Sequence, residues 1–399
     1  MQTVNNINFR NLKALIRVDF NVPLDKQTFA VKDDTRLRAA LPTINKILSD
    51  GGAVILMSHL GRPKTGLEDK YSLQHVVNHL SGLLGKEIQF IPECIGSDVQ
   101  QTATALQPGQ ILLLENLRFH PEEEKGDEAF AQQLAALGDV YVNDAFGTAH
   151  RAHASTTIVA KYFDSDHKVF GLLMAAELEA ANKVLHNHKK PFTAIIGGAK
   201  VSDKILILER LLGLADNIII GGGMAYTFWK AKGGKIGNSL CEDDRIENAL
   251  QIMQNADKNK VRILLPEDSL IADAFDNNAN IKSAMSNEIP DGWMGLDIGA
   301  AANKMFTDVI KQSATILWNG PMGVFEMDNF RIGTEDIAYA VAKATENGAY
   351  SLVGGGDSVA AVNTFGLADK VSYVSTGGGA MLEFFEGKVL PGVAAIEKE

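Results

Sequence analysis

Cysteine is nearly absent: the 399 residues hold two, Cys94 and Cys241, far apart in the chain. That spacing excludes a disulfide framework and a clustered cysteine metal site, and it suits a reducing compartment. Long hydrophobic runs are missing too. Nothing approaches the ~20 successive apolar residues a membrane helix needs, and the opening MQTVNNINFR has neither the basic head nor the apolar stretch of a secretory signal. A soluble, unexported, cytoplasmic protein with no membrane partner is expected. Positive charge is in deficit, 38 Lys and Arg against 49 Asp and Glu, for a net charge of −11. Such a chain repels nucleic acid, so any phosphate it holds must meet a local concentration of Arg, Lys or backbone N–H. Two common phosphate fingerprints, G-x-x-x-x-G-K-[ST] and G-x-G-x-x-G, do not occur either. The second absence weakens a nicotinamide dehydrogenase reading.

What the chain does have is glycine, 37 residues of it, and a hydrophobic content of 46%. Its length exceeds one ordinary domain. Short β-branched runs alternate with longer helical stretches, in two sets: 15–22, 53–57, 111–114 and 140–142, then 193–196, 217–220, 262–265, 315–318, 351–353 and 372–374. The alternation predicts two doubly wound, parallel-sheet (Rossmann-like) α/β domains, residues 1–170 and 189–387. Between them Met174, Leu178, Ala181 and Leu185 follow a 4-3-4 spacing, so 171–188 is predicted as an amphipathic connecting helix. A ligand-binding cleft between the domains is expected.

Open parallel sheets bind ligands at the carboxyl ends of their strands. In the first set those ends carry side chains: Asp19 and Asn21, His59 and Arg62, Arg118, then His150 and Arg151. Arg36, Arg62, Arg118 and Arg151 present planar donor forks suited to carboxylate and phosphate, which points to a small, highly charged acid. Asp19 and Asn21 suit a hydroxyl, while the alternative for them is a turn that bonds its own backbone. Arg17 is set aside as a strand residue, Arg38 as facing elsewhere on the helix of Arg36, and 122–124 as a solvated acidic loop or helix start.

In the second set the strand ends carry glycine clusters instead, at 197–198, 221–223, 354–356 and 377–379. Glycines let backbone N–H groups approach a ligand closely, as a nucleotide polyphosphate requires. Lys200 and Lys204 are predicted one helical turn apart at a helix start, facing the same phosphates. Asp357 sits where a strand turns into a helix and suits Mg²⁺, which takes one or two carboxylates plus phosphate and water; a helix cap is the alternative. The segment 318–326 offers an apolar wall, with Glu326 as a ribose acceptor.

These residues, and the motifs Ser58-His59-Leu60-Gly61-Arg62-Pro63, Glu115-Asn116-Leu117-Arg118-Phe119, 17–24, 144–151, 197–204, 318–326, 354–358, 375–380 and 386–391, closely resemble the phosphoglycerate kinase family from end to end. The resemblance implies Mg²⁺-dependent transfer of the acyl phosphate of 1,3-bisphosphoglycerate to ADP, giving 3-phosphoglycerate and ATP, a step of glycolysis. It implies an acid-binding first domain and a nucleotide-binding second, with the tail 388–399 returning to the first. By it Asp19, Asn21, Arg36, His59, Arg62, Arg118 and Arg151 bind phosphoglycerate, while Arg36 and Lys200 serve the moving phosphoryl group. Lys204, Asn319, Glu326, Gly355, Gly356, Asp357 and Ser358 bind the nucleotide, Gly221, Gly222, Gly223 and Gly295 wall the base, and Asp357 carries the metal. Ser358 replaces the family's more usual threonine. A monomer with only small-molecule partners is expected. A dehydrogenase on two such domains, and an inactive nucleotide and phospho-acid sensor, are the competing readings.

Overall fold

The computed structural model describes residues 1–64 and 66–397. The chain divides into two compact units, Met1–Glu179 together with the tail from Lys388, and Ala180–Gly387. Each is organised around a six-stranded sheet in which every neighbouring pair is parallel.

In the first unit the spatial order is Gln89–Ile91, Ile111–Leu114, Ala53–Met57, Lys13–Val18, Val140–Asp144 and Lys168–Phe170. The central strands are apolar along their whole length because both faces are covered; Ala53–Met57 and Ile111–Leu114 are buried at every position. The order of strands reverses between Lys13–Val18 and Val140–Asp144, so the chain leaves these two in opposite directions and opens a crevice at their carboxyl ends. The first strand is shorter than its apolar run suggested. It stops at Val18, and 19–23 form a loop in which Phe20 N donates to Ser58 Oγ at 2.8 Å. The two outer strands escaped the sequence reading because each has three residues, too few for periodicity to register.

The second unit has the order Arg262–Leu264, Asn217–Ile220, Phe192–Ile196, Thr315–Asn319, Tyr350–Gly354 and Tyr373–Val374. Its reversal lies between Phe192–Ile196 and Thr315–Asn319. There the backbones leaving the two strands touch: a Cβ at Gly197 would lie 2.0 Å from Pro321 O, so only glycine fits. An antiparallel sheet that the sequence reading did not anticipate, Ile281–Met285, Asp268–Ala272 and Met294–Ile298, is attached to this unit. It carries its own small clusters, around Ile271 and around Phe330.

The connecting helix runs over Leu172–Leu185 and crosses the boundary between units. Met174, Leu178, Ala181 and Leu185 are all buried, so the 4-3-4 stripe is its packed face. Its beginning is tied to the first unit by Leu172 N donating to Thr43 Oγ1 at 2.8 Å, and Lys183 Nζ lies 4.2 Å from the Tyr350 ring centroid in the second. The tail packs on the first unit, with Gly392 N donating to Ala149 O at 2.8 Å and Asn143 Nδ2 donating to Gly392 O at 3.2 Å. Lys398 and Glu399 lie outside the described residues.

Candidate functional site

Loops leaving the central strands of the first unit converge on Gly61. Its N–H donates to Asn21 Oδ1 at 2.8 Å and its carbonyl accepts from Arg118 Nη1 at 2.8 Å. A side chain there would overlap the Tyr71 ring at 2.3 Å, and φ is +64°, so glycine is required twice over. Arg36, in the first turn of Thr35–Ser49, places Nη1 3.1 Å from Asp19 Oδ2 and donates to Asn21 O at 3.0 Å. Asp19 also accepts from Asn21 N at 3.2 Å, so the turn-type bonding considered for this pair is present alongside the contact with Arg36. Asn116 is buried and clamps the loop: it accepts from Leu60 N and donates to Leu60 O and Tyr71 O.

His59 is buried at the centre of this group. Its pKa is held well below the ordinary histidine value by burial and then by the charges of Arg17, Arg118, Arg36 and Arg151. Nδ1 faces Arg17 Nη2 at 3.1 Å, and since guanidinium only donates, Nδ1 accepts and the proton sits on Nε2. The group is therefore a neutral donor. Burial lowers the pKa of Arg118 as well, with Arg151 and Arg17 adding to it and Glu124, 3.2 Å away, opposing. Several cations grouped with a neutral histidine make a region whose charge suits a multiply charged anion. Arg151 Nε contacts His150 Nε2 at 3.2 Å. Arg62 is exposed and makes no hydrogen bond or ion pair among the described residues.

Arg17 is, as read, a residue of the first strand, and it is fully buried, donating to Ser155 Oγ, Val18 O and His59. One expectation fails in this unit. The run 122–124 is not uniformly solvated: it begins the helix Pro121–Lys125, and the helical turn carries Glu123 inside. Glu123 accepts from Ser155 N at 2.9 Å and Ser155 Oγ at 2.6 Å, so a serine bridges the buried anion to Arg17. Burial raises the Glu123 pKa and the Arg17 charge opposes that rise.

In the second unit, loops from the sheet and from the antiparallel sheet enclose a cavity of about 490 Å³. Gly198, Gly222, Gly223 and Gly295 expose backbone along it, Leu240, Phe275, Met294, Leu296 and Val324 supply apolar surface, and Glu326 and Asp357 add carboxylates. Gly221 does not line it, but packs beneath Met322, whose Sδ a Cβ would meet at 2.3 Å. At Gly295 a Cβ would stand 1.8 Å from Tyr226 Oη. The buried Tyr226 hydroxyl is fixed from behind by Ser269 Oγ at 2.8 Å.

Lys204 donates to Asn319 Oδ1, and burial lowers its pKa against the opposing charges of Asp203, Asp357 and Glu386. Gly355 lies against Asn319, with a built Cβ 3.0 Å from Nδ2, and Ser358 Oγ accepts from Gly320 N. Gly356 begins the nine-residue helix Gly356–Thr364, whose first turn holds the exposed Asp357. Lys200 does not share a helical face with Lys204. The helix starts only at Ile205, and 200–204 is a bent loop held by Ser202 N and Oγ donating to Glu242 at 3.0 and 2.6 Å. Lys200 is exposed, makes no hydrogen bond or ion pair among the described residues, and lies within the electrostatic reach of Glu242. Glu242 carries no motif signal; only the fold brings it here. Asp297, also unanticipated, lines the cavity and accepts from Ile298 N and Gly333 N at 2.9 and 2.8 Å, while burial pushes its pKa up to about 7.

The profile of the phosphoglycerate kinase family matches residues 4–388. A phosphoglycerate kinase of Porphyromonas gingivalis is 55% identical, over 99% of this chain and 100% of that protein. A chloroplastic one of Volvox carteri is 52% identical over 97% of this chain and 83% of its own length. The solved structure of phosphoglycerate kinase from Coxiella burnetii superposes with a TM-score of 0.90 at 41% identity, covering 99% of this chain and 98% of that one. The dehydrogenase and sensor readings gain no support from these relatives.

Proposed function

The chain belongs to the phosphoglycerate kinase family, and from that premise we propose how its own residues carry the reaction: the first unit holds 3-phosphoglycerate or 1,3-bisphosphoglycerate, and the second holds ADP or ATP. The observation that carries the first half is the buried His59, bonded through Nδ1 to Arg17 and within the charge reach of Arg36, Arg118 and Arg151. In the ATP-consuming direction the attacking group is a carboxylate with an ordinary pKa near 4, already ionised at neutral pH, so no general base is needed. His59 suits that chemistry because it offers an N–H on Nε2 and has its other nitrogen committed to Arg17. Asp19 and Asn21 orient Arg36 and the substrate hydroxyl, Arg118 and Arg151 neutralise its charges, and the exposed Arg62 reaches its phosphate.

Arg36 spends Nη1 on Asp19 and Asn21 and keeps Nε and Nη2 for the transferred group. Lys200, without a hydrogen bond or ion pair among the described residues, serves the same group from the nucleotide side. Charge spreads over three equatorial oxygens in the transition state, where fixed cations and helix N-terminal amides stabilise it most. Lys204 and Asn319, with the amides of Gly355 and Gly356, hold the phosphates; Glu326 accepts from the ribose; the glycine and apolar walls take the base. Mg²⁺ fits Asp357, an exposed carboxylate lining the cavity with no hydrogen bond or ion pair among the described residues. One carboxylate beside phosphate oxygens and water is a sufficient set for that ion, which when bound neutralises phosphate charge.

Transfer requires the two ligands in contact, so we read the reaction as completed by a domain closure that excludes water. Solution scattering with both substrates bound is expected to show compaction. We further read the enzyme as a cytoplasmic monomer; no helix among the described residues is long and apolar enough to cross a membrane. The decisive assay is coupled ATP consumption with 3-phosphoglycerate, with and without Mg²⁺. Turnover that depends on both is expected, and ATP-independent or acid-independent behaviour would reject the assignment of roles.

A further inference from the structure

A second constellation in the first unit takes no part in this scheme. Glu93, Cys94 and His120 offer a carboxylate oxygen, a sulfur and an imidazole nitrogen, all within 4.8 Å of one another. Glu93 and Cys94 follow the strand Gln89–Ile91, while His120 caps the helix Pro121–Lys125, so the fold brings them together from different elements. His120 Nε2 lies 2.6 Å from Glu93 Oε1, which also accepts from Cys94 N at 2.7 Å. The Cys94 thiol donates to Glu115 O at 3.0 Å. The His120 ring is braced against Phe130, with centroids 5.0 Å apart. Zinc binds sulfur and nitrogen at about 2.0–2.3 Å, so ligand atoms this close need only small shifts to share one ion.

The electrostatics favour a cation here. The carboxylate of Glu93 stands beside the sulfur and the imidazole, and an acidic oxygen next to two neutral ligand atoms suits a divalent ion. Magnesium prefers oxygen alone, whereas a mixed sulfur, nitrogen and oxygen set selects zinc and related thiophilic ions. Cysteine spacing alone excluded a clustered site because it does not register a histidine and a glutamate arriving from elsewhere.

We propose that Glu93, Cys94 and His120 form a binding site for a thiophilic divalent cation of the zinc type, with the remaining coordination position taken by water. The Cys94 S–H bond breaks as the sulfur–metal bond forms, and the proton leaves to solvent. The contact between His120 and Glu93 is exchanged for two bonds to the ion: the Nε2 proton that faced Glu93 is lost to solvent, the neutral ring carries its proton on Nδ1, and Nε2 gives its lone pair to the metal. No oxidation state changes.

The test is a Co²⁺ titration of the full-length protein followed by absorbance. A thiolate-to-cobalt charge-transfer band in the near ultraviolet, saturating at one ion per chain and bleached by Zn²⁺, is expected. It should vanish in Cys94→Ser, persist in Cys241→Ser, and need about tenfold or more Co²⁺ in Glu93→Gln. Glu93→Gln alters an exposed side chain outside the catalytic set, so unchanged kinase turnover there shows the fold intact even if Cys94→Ser is unstable. A wild-type protein without the band, or a band that disappears with Cys241→Ser or keeps its affinity in Glu93→Gln, overturns the proposal.

Discussion

In the proposed scheme the two units meet the same physical problem, holding multiply charged phosphates in a protein with net charge −11, by opposite means. The first brings side chains: Arg17, Arg36, Arg118 and Arg151 around His59. The second removes them, so that glycines at 198, 222, 223 and 295 line its cavity. A site built from side chains concentrates function in single residues, each supported by an inner layer such as Asn116 or the Ser155–Glu123 bridge. A site built from backbone spreads function over many N–H groups and fails when something is added. Deletion should therefore be most damaging in the first unit and addition in the second.

The largest effect tests the first half of that contrast. Arg36→Ala is expected to lower turnover by about 10²–10⁴, the scale of a transition-state arginine, while ATP binding measured by calorimetry stays nearly intact. Normal turnover would remove Arg36 from the transferred group. The complementary change adds one methyl. Gly295→Ala drives a Cβ to 1.8 Å from Tyr226 Oη, whose hydroxyl is pinned by Ser269 and cannot swing away. Overpacking of this kind costs about 1–3 kcal/mol, so ADP affinity should drop roughly 5- to 150-fold, with 3-phosphoglycerate binding unchanged. Equal losses for both ligands would mean that the units are not independent binders.

The same contrast governs what was legible in the sequence. Strands buried on both faces announce themselves: Ala53–Met57, Ile111–Leu114 and Asn217–Ile220 have the bounds their apolar runs predict. Glycine clusters and arginines after such strands were legible because the carboxyl ends of a parallel sheet are where ligands bind. Pair geometry was not. Lys204 follows Lys200 at four positions, a helical spacing, yet the bonds from Ser202 to Glu242 keep that stretch out of the helix. Glu123 looks like the middle of a solvated acidic run, and only the docking of its helix turns it inward against Ser155 and Arg17. Buried charge depends on a partner distant in sequence, and no local pattern names that partner.

Glu242 sharpens the comparison, since in the glycine-built unit it supports the loop of Lys200 much as Asn116 supports the loop of Arg118. Removing its two bonds to Ser202 should cost about 30-fold in kcat, at about 1 kcal/mol per hydrogen bond. Glu242→Ala is expected to show that loss, and Glu242→Gln, which keeps an acceptor, to recover most of it. If ADP affinity falls while kcat holds, Glu242 shapes the nucleotide cavity rather than the lysine loop.

The smallest effect concerns acid. His153 lies 3.9 Å from Glu123 and is held at a pKa of about 4, by burial first and then by Arg17, Arg118 and Arg151. Unfolded, it takes a proton below about 6.5. The unfolded state thus binds more protons than the folded one between those values, and stability falls as pH drops from about 6.5 to about 4. His59, also held neutral, pulls the same way. Asp144, raised to about 6 by burial, binds its proton more readily when folded and pulls the other way, as Asp297 does in the second unit. The informative quantity is accordingly a difference: thermal midpoints of His153→Gln and its parent should converge as pH falls from 6.5 to 4, because the variant no longer carries that penalty. A constant gap would mean that His153 is already charged in the folded protein, and that the cation cluster of the first unit perturbs its neighbours less than its burial demands.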